Sequence, residues 1–198
     1  LEKKIGDKKV RIGVVSQEVN SLSITQRTSG FIDKMVELLN KKGIKTAVTG
    51  HDKFKNDVNE ADAKVVIEVR VPAQVDDAAG KTEASTVLEK EDTVAIYGSN
   101  EFAAKAIINA NGGFKESKLG ADKILAVGFD SGALQQDAIR KGIFVGSVTQ
   151  DPVQIGYQAV KLAVAAAKGE TVKDVDTGSK WYDAKNIDSD EIKALLYE

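Results

Sequence analysis

The stretch Thr93-Val94-Ala95-Ile96-Tyr97-Gly98-Ser99-Asn100-Glu101-Phe102-Ala103-Ala104-Lys105-Ala106-Ile107-Ile108-Asn109-Ala110-Asn111-Gly112-Gly113 holds one complete strand-to-helix unit. Thr93 to Tyr97 is nearly continuous in Val, Ala and Ile with little in/out alternation, as expected of a parallel strand buried on both faces. Phe102 to Asn111 then follows a helical period until Gly112-Gly113 stops it. The unit recurs on both sides. Further strands are predicted at Val10 to Val15, Lys64 to Val71, Lys123 to Phe129 and Ile143 to Val148. Helices are predicted from about Ser23 to Lys42, with Ile24, Phe31, Met35 and Leu38 or Leu39 on one face and Gly43 as C′ residue. Asp77 to Lys90 and Leu134 to Lys141 complete the set, the latter ended by Gly142. Strands alternating with helices specify an α/β fold: a three-layer α/β/α sandwich with a mainly parallel sheet and right-handed crossovers.

Three segments depart from the alternation. Thr46 to Ala63 reads as an insertion, with room for a strand at Thr46 to Thr49 and a polar excursion through His51-Asp52-Lys53-Phe54-Lys55. Asp151 is a natural N-cap and Pro152 a natural N1 residue, opening a helix to Lys168 that Gly169 ends. Its polar residues Gln154, Gln158, Lys161 and Lys168 form a narrow strip, so the wide apolar remainder expects partners on more than one side. The tail predicts a weak strand within Val172 to Lys180 and a short helix from Ser189 or Asp190 to Leu196.

Composition removes several function classes. The 198 residues carry 28 Lys plus Arg against 30 Asp plus Glu, a net charge of −2, and no dense basic cluster of the kind a nucleic-acid partner needs. Without cysteine there is no disulfide framework, thiolate zinc site or Cys nucleophile, and a single histidine, His51, removes the His-rich metal sites. The longest apolar run, Leu162 to Ala167, is too short for a membrane span, and the first residues resemble no signal peptide. Two alternatives follow: a protein kept inside the cell, or a chain that begins after its targeting segment.

Local motifs favour plain explanations. Gly80-Lys81-Thr82 resembles the end of a phosphate loop, but Val75 stands where the first glycine belongs and Asp76 and Asp77 would repel phosphate. His51 lacks a Gly-x-Ser-x-Gly elbow, and Asp183, Asp188, Asp190 and Glu191 lack the central Gly and closing Glu of a calcium loop. The informative constellation is positional. In an open parallel sheet, ligands bind beyond the carboxyl ends of the strands. Those ends carry Gln17 to Ser23, Gln74 and Asp76, Ser99-Asn100, Asp130 and Gln150, with Arg27 one turn into the first long helix. Such carboxylate, amide and guanidinium groups suit a neutral polyhydroxy ligand, since each ligand hydroxyl both donates and accepts. Capping and turn formation explain Asp130 and Ser99 equally well.

The run Tyr97-Gly98-Ser99-Asn100-Glu101-Phe102-Ala103-Ala104-Lys105-Ala106, then Val127-Gly128-Phe129-Asp130-Ser131, then Gly146-Ser147-Val148-Thr149-Gln150-Asp151-Pro152-Val153-Gln154-Ile155-Gly156-Tyr157, resembles the ribose-binding branch of the type I periplasmic binding proteins. Ser23, Arg27 and Gly30-Phe31 look like the Ser-x-x-x-Arg-x-x-Gly-Phe element of the same lobe, and Asp176-Thr177-Gly178 with Asn186-Ile187 like its closing segment. The resemblance implies that Arg27, Asn100, Asp130 and Gln150 line the C-terminal-lobe wall of a sugar cleft, with Val75 where an aromatic ring often stacks on the sugar. It also implies a division of the chain. Residues 1–150 would be the C-terminal ligand-binding lobe, 151–169 a post-hinge helix packing on an N-terminal lobe this chain lacks, and 170–198 a crossing segment and tail.

The function so implied is the substrate-binding component of an ABC-type importer for a sugar or similar solute, extracytoplasmic (periplasmic or a cell-surface lipoprotein), with an ABC permease as partner. No catalysis, metal or cofactor is expected. The same superfamily contains effector domains of LacI-type regulators, which remain the alternative. An α/β enzyme would need an activated nucleophile or cofactor loop, and none is visible. The isolated chain is expected to bind sugar weakly and to form a homodimer through the 151–169 helix.

Overall fold

The computed structural model describes residues 1–197. Strands β1 (Val10–Val15), β2 (Thr46–Thr49), β3 (Val65–Arg70), β4 (Thr93–Gly98), β5 (Leu125–Phe129), β6 (Gly146–Gln150) and β7 (Ser179–Tyr182) form one sheet in the order β2-β3-β1-β4-β5-β6-β7. All neighbours are parallel except β7, which runs antiparallel to β6. The helices are α1 (Glu2–Ile5), α2 (Leu22–Lys41), α3 (Asp77–Leu88), α4 (Glu101–Asn111), α5 (Ala133–Arg140), α6 (Pro152–Ala167) and α7 (Asp190–Lys193). None is long and apolar enough, among the described residues, to cross a membrane.

Strand alternation divides the core in two. Ile12 and Val14 of β1 join Ile32 and Leu39 of α2, while Val15 joins Ala84, Val87 and Leu88 of α3 and Ala103, Ala104 and Ala110 of α4. Every residue of β1 is buried, as a central strand covered on both faces requires. Gly13 is needed here because a Cβ would stand 2.4 Å from Val87 Cγ1, so α3 packs directly on the strand backbone.

Charge also enters this core. Arg11 of β1 bonds Glu68 of β3 at 2.6 Å and reaches Asp92 and Glu60, each at 3.0 Å. Lys90 closes on the same Glu68 carboxylate at 2.6 Å. Burial works against the Arg11 guanidinium's charge, but the hydrogen bonds to Asp92 and Glu60 more than offset it and raise its pKa.

The structure shifts some expected boundaries. The apolar run from Ile143 starts as a helix-to-strand turn. Ile143 and Phe144 both donate their N–H to Ala138 O, Gly142 takes a positive φ of 69°, and the paired strand begins only at Gly146. In the tail, residues 172–178 form no strand, and pairing starts at Ser179, where register with β6 brings Tyr182 opposite Ser147. The last helix ends at Lys193, short of Leu196.

The segment 46–63 is only in part an excursion. Thr46–Thr49 pairs with β3 as the sheet's edge, leaving residues 50–63 outside the alternation. Asn56 ties that loop back by accepting from Val48 N at 2.9 Å and donating to Thr46 O at 3.1 Å, while Phe54 is buried in the α2-side core.

Helix α6 starts as its sequence dictates, with Asp151 Oδ1 accepting from Gln154 N at 2.8 Å and Pro152 following. None of its residues is buried, and Val153 and Val160 are each 67% exposed. It stands off the sandwich with its apolar face uncovered.

Candidate ligand-binding site

The parallel strands release their chains at one sheet edge, and five of the expected polar residues, Gln17, Arg27, Asn100, Asp130 and Gln150, meet there. Arg27 projects from the second turn of α2. Its Nη1 donates to Asp130 Oδ2 at 2.9 Å and its Nη2 to Gln150 Oε1 at 2.7 Å, joining the ends of β5 and β6. The guanidinium lies over the Phe129 ring, with Cζ 4.1 Å from the centroid. Cation–π attraction and a planar two-pronged donor fit arginine better than lysine. The Arg27 and Asp130 side chains are each 17% exposed, so the pair is partly desolvated and still open to a ligand.

Asp130 Oδ2 also accepts from Glu101 N at 3.2 Å, the first residue of α4, where helix-end amides favour an anion. This bond connects Asp130 to Asn100, the α4 N-cap. Asn100 Oδ1 accepts from Ala103 N at 3.1 Å, and its Nδ2 donates to Gln17 Oε1 at 2.6 Å. One hydrogen-bonded arc thus runs from Gln17 through Asn100, Glu101 N, Asp130 and Arg27 to Gln150. Asn100 has a structural duty whatever it binds. Asn100→Ala is expected to cost about 1 kcal/mol through the lost cap, visible as a melting-temperature drop of roughly 2–4 °C by circular dichroism.

Phe129 and the Glu101 amide were missing from the sequence-based set. Neither has a local signal of its own: the ring matters because α2 brings Arg27 over it, and the amide because β5 ends beside α4. Below the arc, Phe31 stacks on Tyr97 with centroids 4.3 Å apart, and burial pushes the Tyr97 phenol well above its ordinary pKa.

Other expected positions lie apart. Asp76 caps α3 by accepting from Ala79 N at 2.8 Å, Gln74 is exposed, and the Val75 side chain is exposed beside them. Gly80-Lys81-Thr82 lies within α3, with Gly80 buried beneath Phe102. His51 sits in the 50–63 loop, its Nδ1 accepting from Lys53 N. Among the described residues no group of three or more His, Asp or Glu side chains is placed to hold a metal ion.

Three cavities of about 460, 470 and 460 Å³ lie elsewhere, lined in turn by Leu1, Ile5, Met35 and Ile44, by Leu88, Lys90, Lys118 and Ile124, and by Lys8, Val10, Glu91 and Asp92. All are near the strands' amino ends, opposite the arc. The arc itself is a shelf, which can supply hydrogen bonds to one side of a ligand but cannot enclose it.

Solved structures share this architecture. An ABC transporter, LacI family transcriptional regulator from Brachyspira murdochii is 36% identical with a TM-score of 0.80, over 100% of this chain and 60% of its own. An ABC transporter solute-binding protein from Agrobacterium vitis with bound D-fucose is 25% identical with a TM-score of 0.73, over 98% of this chain and 58% of its own. A carbohydrate transporter solute-binding protein from Agrobacterium radiobacter in complex with D-arabinose is 25% identical with a TM-score of 0.72, over 99% and 58%. The chain therefore spans about three-fifths of the length of the solved structures it matches. No curated protein sequence matches it. The model of the periplasmic binding protein domain family matches residues 1–171, and the chain belongs to that family.

Proposed function

We propose that this chain supplies one wall of the ligand site of a sugar-binding protein serving an ABC-type importer outside the cytoplasm. The observation that carries the reading is the Arg27–Asp130–Gln150 cluster at the carboxyl edge of the sheet. It offers a carboxylate to accept hydroxyl protons and a guanidinium and amide to donate back, the pairing a neutral sugar needs. Relatives of the same fold hold D-fucose and D-arabinose. In this reading the ligand is closed between this wall and a second lobe by hinge motion about the segments after Gln150 and before Ser179, and the closed form is what a permease engages. Arg27, Asn100, Asp130 and Gln150 are the ligand-contacting set.

Isothermal calorimetry on the full-length protein with D-fucose, D-arabinose and other monosaccharides tests the reading. Saturable binding of at least one sugar is expected, and heats of dilution across the whole panel would refute it. The isolated 198-residue chain should bind the same sugar far more weakly, because a shelf supplies hydrogen bonds from one side and little desolvation.

The name of the Brachyspira murdochii relative favours one second reading, the effector domain of a LacI-type regulator. The coding region upstream separates the two: a helix-turn-helix supports the regulator, a signal peptide the importer. In either case the uncovered face of α6 is a packing surface. For the isolated chain we expect self-association through Val153, Tyr157 and Val160, read as a dimer by light scattering, with Val160→Asp returning it to monomer.

A further inference from the structure

The carboxylate at the centre of the site stands on a backbone that few residues adopt unaided. Asp130 has φ 73°, and among the described residues it is the one non-glycine with positive φ. Aspartate enters this left-handed region more readily than most side chains, but it still requires support from its surroundings.

That support converges on a single atom. Asp130 O accepts from Gln135 Nε2 at 3.0 Å, Ser147 Oγ at 3.0 Å and Tyr182 Oη at 2.7 Å. The three donors come from α5, β6 and β7, and all three residues are buried. Asp130 N is tied as well, donating to Val148 O at 2.7 Å. The peptide units on both sides of the Asp130 Cα are therefore fixed from several elements at once.

The donors cannot readily exchange roles. Burial pushes the Tyr182 phenol well above its ordinary pKa, so its proton stays in place. Gln135 Nε2 also faces Phe129 O and Ser147 Oγ, and a flipped amide would set its oxygen against two carbonyl oxygens. In the orientation observed, Gln135 Oε1 has no partner among the described residues, so the donor contacts are kept although an acceptor is left buried and unpaired. Gly128 makes the room: a Cβ there would lie 2.5 Å from Gln135 Nε2 and 3.2 Å from Ser147 Oγ.

We propose that Gln135, Ser147 and Tyr182 are positioning residues for ligand binding, a three-donor clamp that holds Asp130 in its left-handed conformation and so aims its carboxylate at Arg27 and the ligand. The proposal rests on reading Asp130 as a ligand-contacting residue. All three side chains are buried beneath the site's open face, so they act through Asp130. Tyr182 carries the added consequence that the returning segment 170–178, which leads directly into β7, is mechanically joined to the site.

Two measurements separate the clamp from the binding reading. In the 198-residue chain, nuclear magnetic resonance reports positive φ directly through a strong intraresidue amide-to-α proton Overhauser effect at Asp130. Tyr182→Phe, which keeps the ring, is expected to weaken that signal, and Tyr182→Phe with Ser147→Ala to remove it while the melting transition stays cooperative. In the full-length protein, titrated with whichever of D-fucose and D-arabinose binds the wild type, each lost donor should weaken affinity by about 2- to 12-fold, the worth of one hydrogen bond.

An unchanged Overhauser effect in the double variant would overturn the clamp, and so would an unchanged affinity beside an altered one. Ser147→Ala alone leaves the aromatic packing intact and serves if the double variant loses cooperativity. Absence of sugar binding in the wild type refutes the sugar-binding reading, while the resonance measurement still decides whether the clamp exists.

Discussion

On the reading proposed above, Arg27→Ala is expected to weaken sugar binding by the full-length protein by about 30-fold or more. The side chain makes two charge-assisted or polar bonds, to Asp130 and Gln150, and covers the Phe129 ring. Truncating one member of a hydrogen-bonded charge pair at a binding surface costs about 2–5 kcal/mol, and because this pair is partly exposed the lower end applies, which is roughly 30-fold. Arg27→Lys should fall between the two. A single ammonium cannot span the ends of β5 and β6 at once, and it loses the guanidinium contact with Phe129. Calorimetry on the three proteins orders them wild type, Lys, Ala; equal affinities would remove Arg27 from the site. The melting temperature should move little, since the arc lies at the sheet's edge rather than in its core.

Stability should depend most on a different arginine, Arg11 in the core. Arg11→Met is expected to destabilise the fold by about 3 kcal/mol, because it strips a guanidinium from three carboxylates, one of them Glu68 at 4% exposure. Lys90 remains on Glu68, which holds the loss at the low end of the range for breaking a buried pair. For a domain of this size the melting temperature should fall by roughly 6–12 °C. Arg11→Met combined with Glu68→Leu should recover part of that loss, since no charge is then left stranded between β1 and β3. Chemical denaturation of the single and double variants reads the difference. A double variant less stable than Arg11→Met would mean that the Glu68–Lys90 contact outweighs the desolvation of the carboxylate. Sugar binding should survive these changes, because Arg11 sits near the strands' amino ends and the site at their carboxyl ends.

Much of the scaffold is legible locally. Continuous Val and Ile runs at β1 and β3 can be stable only with both faces covered, so they announce a parallel sheet before any pairing is known. Caps are local too, but not always to the residue: Asp151 and Ser189 bind amides three residues ahead, whereas α4 is capped by Asn100 and not by Ser99, whose hydroxyl is buried without a partner among the described residues, and Asp130 caps no helix of its own. The edge strand at Thr46–Thr49 was legible as a strand, but not its place in the sheet, because edge membership depends on β3 presenting a free side. The apolar run at Ile143 misled about the start of β6. Hydrophobicity alone does not distinguish a residue paired in a sheet from one folded under a helix end, and Phe144 is the latter.

What the amino-acid order determined by itself is the alternation of strands and helices, their caps, and the supply of polar residues at the strand ends, since each depends on neighbours a few positions away. Tertiary structure decided which of those residues meet. Arg27 lies 103 positions from Asp130 and 123 from Gln150, and the bonds exist only because α2 packs on the face of the sheet that carries Ile12 and Val14 of β1, with its start at the strands' carboxyl ends. The left-handed Asp130 and its three donors were invisible for the same reason: Tyr182 is 52 residues away and arrives on the one antiparallel strand of the sheet. Contacts of that range are set by strand order and register, which emerge from packing the whole chain, and no local pattern carries them.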